Sequence, residues 1–145
     1  MATYDGIATA SIEVMAPAER VFEALTDPAL VRDYLFGAEI KSDWQVGHPI
    51  TFSGVWQGKP YEDKGQILAY DPPKVLKVTH YSPLSGLPDV PENYHTVTYA
   101  VSPMGEFSRL TITQENNRDQ AEVDESAKTW GMILGGLKTA VERRG

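Results

Sequence analysis

Any chemistry in this chain falls to a short roster of side chains. Cysteine is absent from the 145 residues, which removes disulfides, thiolate nucleophiles and cysteine metal sites together. Three histidines remain: His48, His80 and His95. His48 precedes Pro49 in a turn and is expected in solvent. His80 alternates with Leu76 and Val78, so its ring is expected to share their face, either pointing into a cavity or held as a core or rim histidine with a satisfied hydrogen bond. His95 keeps the register of Val97 and Tyr99, at a strand start beside a long loop. No HExxH or comparable spacing joins these rings, so neither a metal nor a cofactor is expected. Paired carboxylates for acid–base work need a buried pair with pKa values pushed apart. Glu62 and Asp63 are adjacent in a strand and so point to opposite faces, Glu115 ends a strand, and Glu13 alternates away from the core. All four are expected as solvated surface charges. No Gly-x-Ser-x-Gly elbow or Walker-type phosphate loop appears.

What remains is aromatic. Phe52, Trp56, Tyr70, Tyr99 and Trp130, with Leu134, are expected to line one cavity. His80 and the Tyr99 hydroxyl would supply the few polar handles of a ligand site. The competing expectation is that the same rings fill the core, as Trp and Tyr do when their polar atoms find partners.

These residues must be positioned by a small set of elements. Residues 7–14 alternate as a strand. Ala16-Pro17 opens a short helix with Val21, Phe22 and Leu25 inside, Pro17 suiting a first helical position. Asp27-Pro28 starts a second, carrying Leu30, Val31, Tyr34 and Leu35, which ends at Phe36-Gly37. From Glu39 the apolar period shortens to two, and strands are expected over 40–44, 50–56, 61–70, 75–81, 94–101 and 107–115. Residues 82–92, with Pro83, Gly86, Pro88 and Pro91, read as a long loop of the kind that often forms a lid or binding loop. Finally Val123, Ala127, Trp130, Leu134, Leu137 and Val141 recur at helical spacing, the stripe of a long helix from Gln120 to Arg143. Asp119 is a plausible N-cap, acidic Glu122, Asp124 and Glu125 crowd the first turns, and Lys138, Arg143 and Arg144 sit near the end, complementing the helix dipole. Gly131 and Gly135 flank the stripe and would leave a trough, either for another backbone or for a bound molecule.

Successive strands joined by short turns pair antiparallel, and a curved sheet with one apolar face needs a cover. The fold class is therefore α+β, a helix-grip arrangement. A curved antiparallel sheet of about six or seven strands wraps around the C-terminal helix, with two short helices after the first strand. Residues 1–145 are expected to form one domain, with neither repeat nor linker. Hydrophobic content of 41% and a net charge of −7 suit a soluble protein whose surface repels phosphate backbones, so nucleic-acid binding is not expected. No stretch approaches the about 18 apolar residues of a membrane span, and no secretory signal opens the chain. No membrane insertion and a cytoplasmic location are expected.

At residue level the chain resembles the SRPBCC (START-like, birch-pollen-allergen-like) superfamily. The segments that carry the resemblance are Ala16-Pro17-Ala18-Glu19-Arg20-Val21-Phe22-Glu23-Ala24-Leu25-Thr26-Asp27-Pro28, Gly65-Gln66-Ile67-Leu68-Ala69-Tyr70-Asp71-Pro72-Pro73, Leu110-Thr111-Ile112-Thr113-Gln114-Glu115, Trp130 and Gly136-Leu137-Lys138. They span nearly the whole chain and look like the branch named after the C-terminal domain of the heat-shock-protein-90 ATPase activator. The resemblance implies a hydrophobic cavity between long helix and sheet, used in the superfamily to carry lipids or hormones or for cyclase and dehydratase chemistry. A small hydrophobic ligand is thus the expected partner. An enzyme of the cyclase, dehydratase or hydrolase kind, using a cavity His or Tyr, is the second reading. A chaperone-associated or stress-response interaction module, or a homodimer, is the third. Two departures stand out. The co-chaperone of the branch's name has an additional N-terminal domain that these residues do not contain, which counts against chaperone activation. Members also often carry Trp where this chain has Tyr34.

Overall fold

A computed structural model describes residues 6–143; the expectation for Arg144 falls outside them. In chain order the elements are β1 (Ala8–Val14), α1 (Ala18–Thr26), α2 (Pro28–Tyr34), β2 (Glu39–Ser42), β3 (Pro49–Trp56), β4 (Lys59–Asp71), β5 (Val75–His80), β6 (His95–Met104), β7 (Phe107–Glu115) and α3 (Gln120–Arg143). The strands form one antiparallel sheet in the order β1-β7-β6-β5-β4-β3-β2. Every neighbour is therefore a sequential hairpin partner except β1, which returns to pair with β7. This is the α+β helix-grip.

Local chemistry sets the element ends. Pro17 sits one position earlier than expected, as the N-cap of α1, with extended ψ of 159°. The Asp27 carboxylate caps α2 by accepting the Ala29 amide at 2.9 Å, which satisfies one of the four orphan donors of a helix start. At α3, Asp119 accepts the Glu122 amide at 2.9 Å, and the Glu122 carboxylate reaches back to the Arg118 amide at 2.7 Å. The Asp119 contact is the N-cap bond, and the Glu122 carboxylate ties down the residue before the cap. Gln57 and Gly58 both take positive φ, the requirement of a two-residue turn that matches strand twist between β3 and β4.

Of the two readings of Gly131 and Gly135, close approach of another backbone is set aside. A Cβ at Gly131 or Gly135 would meet no heavy atom within 4 Å, whereas one at Gly136 would lie 3.2 Å from Tyr34 Cβ. Gly136, not the Gly131/Gly135 pair, lets another element approach, and that element is α2. The tightest approach lies in the sheet. A Cβ at Gly65 would fall 1.7 Å from the Thr79 carbonyl oxygen, so glycine there lets β4 cross β5 closely. Farther along, a register shift between Ile67 and Ala69 bends the same strand, as bulges do.

The helical stripe of α3 is buried only in its second half, at Ile133, Leu134, Leu137, Ala140 and Val141. Val123, Ala127 and Trp130 in its first half are partly exposed. Together with Val21, Val31, Ile67, Leu76 and Leu110, the buried half forms the core at the α1–α2 end of the sheet. Under the first half of α3 the sheet is left incompletely covered.

Candidate functional site: the cavity beneath α3

That gap is a cavity of about 360 Å³ between the first half of α3 and strands β3 to β7. Its floor is apolar: Phe52 from β3, Val78 from β5, Val97 and Tyr99 from β6, with Trp130 and Ile133 descending from α3. The Tyr99 and Trp130 rings meet edge to face at 5.9 Å and 87°, and Phe52 meets the His80 ring at 6.0 Å. Three apolar side chains line the cavity while staying largely exposed: Phe36 at 56%, Trp56 at 49% and Leu84 at 52%. They mark the mouth, where Phe36 and Trp56 pack edge-on at 6.1 Å. Leu84 comes from the 82–92 loop, which contains two short 3-10 turns. This loop is tied down: Tyr81 donates to the Leu87 carbonyl, Tyr94 donates to Asp89, and Lys64 pairs with Asp89. It is a fixed wall of the mouth.

Deeper in, behind Phe52, Tyr99 and Trp130, a second apolar void of about 20 Å³ reaches Tyr34, Leu76 and Leu137. It has room for about one water but no cluster of polar partners to hold one.

One polar network holds α3 above the cavity. Gln114, buried on β7, accepts from Trp130 Nε1 at 2.9 Å and donates to Asn117 Oδ1 and Ser126 Oγ, each at 2.9 Å. Asn117 donates in turn to the Gly6 and Gln114 carbonyls. Every donor of that amide is used, so Gln114 fixes the helix and the Trp130 ring.

Of the residues singled out by sequence, the structure brings Phe52, Trp56, His80, Tyr99 and Trp130 to this one cavity. Tyr70 lies elsewhere, packed against Phe22 at 5.8 Å and Trp44 at 6.0 Å. It is past the β4 register shift, at the core end of the sheet. Leu134 is fully buried in the core on the neighbouring face of α3. His48 is half exposed and meets Asp43 at 2.6 Å, and His95 lies 3.4 Å from Glu122. No group of three or more His, Asp or Glu side chains among the described residues is placed to hold a metal ion.

The expectation that Asp63 is a solvated surface charge is corrected. Asp63 lines the cavity and its Oδ2 accepts from His80 Nε2 at 2.9 Å. The signal that locates it is parity. Ile67 is fully buried, and counting back by twos along β4 turns Gly65, Asp63 and Tyr61 to the same face. Asp63 also pairs directly across from Phe52. Burial raises the pKa of the Tyr99 hydroxyl, so at neutral pH it is a protonated donor in the cavity wall. The Tyr61 hydroxyl is raised by burial and then by the nearby Asp63 charge. The cavity therefore offers a largely aromatic interior with a carboxylate–imidazole pair and two neutral phenols.

The family model described as Activator of Hsp90 ATPase homolog 1-like protein matches residues 15–142. The chain belongs to this family. Among solved structures, a protein from Cytophaga hutchinsonii (ChR145) is 40% identical, with a TM-score of 0.84 over 99% of this chain and 98% of that one. CalU16 from Micromonospora echinospora is 21% identical with a TM-score of 0.70, covering 97% of this chain and 87% of that one. A dimeric Aha1 from Colwellia psychrerythraea is 16% identical with a TM-score of 0.73, over 94% and 96% of the two chains. The last two likenesses speak for the fold alone. No curated relative matches the sequence significantly. No helix among the described residues is long and apolar enough to cross a membrane.

Proposed function

We propose that the 145 residues act as one SRPBCC-like domain that binds a small, largely hydrophobic molecule beneath α3, as a cytoplasmic carrier or sensor. The observation that carries this reading is the cavity itself, about 360 Å³ and walled by Phe52, Val97, Tyr99, Trp130 and Ile133. Its size lies in the usual range for small-molecule sites, and its makeup, mostly apolar with a few convergent polar groups, is what such sites share. The exposed Phe36–Trp56 pair supports an entrance on the side away from the core. Phe52, Trp56, His80, Tyr99 and Trp130 are the contacts in this reading, with Asp63 added.

The Asp63–His80 pair favours a second reading, an enzyme in which the carboxylate orients an imidazole for proton transfer to a bound substrate. The solution dimer of the Colwellia relative supports testing for a homodimer. Chaperone association rests on the family description alone. Native mass spectrometry of freshly purified protein, followed by a thermal-shift screen with apolar compounds, separates these readings. A co-purifying small molecule, or a compound that raises Tm without being consumed, is the result expected of a carrier. Turnover of the bound compound would transfer the function to the enzyme. An empty monomer whose Tm no compound moves would overturn both.

A further inference from the structure

The cavity walls are unbalanced in charge. Asp63 and Glu125 line it, and no lysine or arginine does so among the described residues. Asp63 is the more informative. Its side chain is only 16% exposed, Oδ2 is engaged by His80 Nε2 at 2.9 Å, and Oδ1 is buried with no hydrogen-bond partner among the described residues. A carboxylate oxygen taken out of water without a donor is an unmet demand, and native structures leave few of them. Asp63 itself lines the cavity, so an occupant can meet that demand once the carboxylate turns toward it. The terminal sp³–sp² torsion of an aspartate is soft, so a small rotation presents that oxygen to the interior. Since a carboxylate only accepts, Nε2 is the donor and Asp63 the acceptor of the pair.

Around this carboxylate stand aromatic faces. Phe52 is its cross-strand partner, Tyr61 is two residues along the same face of β4, and Trp56 stands at the mouth. A carboxylate among π faces is the surrounding that attracts an organic ammonium. An anionic head group would meet the Asp63 and Glu125 carboxylates with no lysine or arginine beside them in the wall. We infer that the cavity takes an apolar molecule bearing a protonated amine, with the ammonium donating to Asp63 and the body against Val97 and Ile133, and that it rejects fatty-acid-like carboxylates.

The inference rests on the proposal that the cavity binds small molecules, and the test separates the two. Decylammonium, decanol and decanoate, each below its micelle-forming concentration, are titrated calorimetrically into wild type and the near-isosteric Asp63→Asn. The cation is expected to bind about tenfold tighter than the alcohol, the equivalent of roughly 1.4 kcal/mol, with decanoate weakest. Asp63→Asn is expected to bring the cation down to the alcohol's affinity, and Glu125→Gln to move the same ratio by less. If Asp63→Asn does not fold, the ranking of the three probes on wild type decides. Decanol binding with no preference for the cation, or decanoate binding tightest, would overturn the inference and leave the cavity reading standing. Retention of the preference in folded Asp63→Asn would also overturn it. Failure of all three probes to bind would overturn both.

Discussion

Gly65→Ala places a methyl group where the Thr79 carbonyl oxygen already stands, 1.7 Å away. Ordinary carbon–oxygen contact is about 3.5 Å, so β4 and β5 would have to part by roughly 1.5–2 Å at this point. Among the hydrogen bonds flanking the crossing are Lys64 N to the Tyr81 carbonyl at 2.9 Å and Tyr81 N to the Lys64 carbonyl at 2.8 Å. Losing both, at about 1 kcal/mol each, and adding overpacking strain of about 1–3 kcal/mol gives roughly 3–5 kcal/mol of destabilisation. For a domain of this size that is a fall in Tm of roughly 10 °C. The control is Gly131→Ala on α3, where the new methyl meets nothing within 4 Å. There, alanine is expected to gain up to about 1 kcal/mol from helix propensity. Urea unfolding of the two variants beside wild type measures the contrast. Since Asp63 and His80 flank the crossing, Gly65→Ala is also expected to weaken cavity binding in whatever fraction stays folded. A Gly65→Ala protein within about 1 kcal/mol of wild type would refute the close approach, and with it the strand crossing that sets Asp63 against His80.

Asp27→Ala removes the side-chain cap of α2 and is expected to cost about 1 kcal/mol in urea unfolding. Trp130→Phe leaves the Gln114 carbonyl oxygen without its donor and is expected to cost about 1–3 kcal/mol, with chemical-shift changes centred on Ser126 and Asn117. Burial raises the pKa of Tyr99 and, with Tyr99 beside it, that of Tyr34. Folded protein therefore holds these protons above the unfolded value of about 10. Their contribution is complete below about pH 10 and lost as pH rises toward the folded values. Chemical unfolding at stepped alkaline pH should show falling stability, less steeply in Tyr99→Phe, and tyrosinate absorbance should show late-titrating groups that include Tyr34 and Tyr99, with one fewer in Tyr99→Phe.

The fold was legible because its signals are local and agree with one another. Asp27-Pro28 marks a cap and a first helical turn, the strands alternate, and the α3 stripe runs from Val123 to Val141 at helical spacing. What periodicity does not convey is how far each face is covered. The α3 stripe reads as continuous, yet only its second half meets the core, because α1 and α2 lie at that end. Aromatic type alone places Tyr70 in the cavity, but it lies near the far end of β4, past the register shift between Ile67 and Ala69, and packs at the core end of the sheet against Phe22 and Trp44. Asp63 was hidden by the converse assumption, that a charged residue beside another charge faces water. Strand parity from Ile67 points it inward, and His80, 17 residues away, gives it a partner that only the β4–β5 pairing brings near. Gly65 likewise looks like any strand glycine until Thr79 is seen against it.

Cavity binding is tested most directly by amide and side-chain NMR shift mapping during a titration with decanol, a neutral apolar probe. Saturable shifts should cluster at Phe52, Val78, Val97, Tyr99, Thr129 and the Trp130 indole, all in the cavity wall, while Tyr70 and Leu134 stay nearly still. Absence of saturable shifts, or shifts centred on the exposed Met132 or Val55 side chains with the cavity residues unmoved, would contradict it.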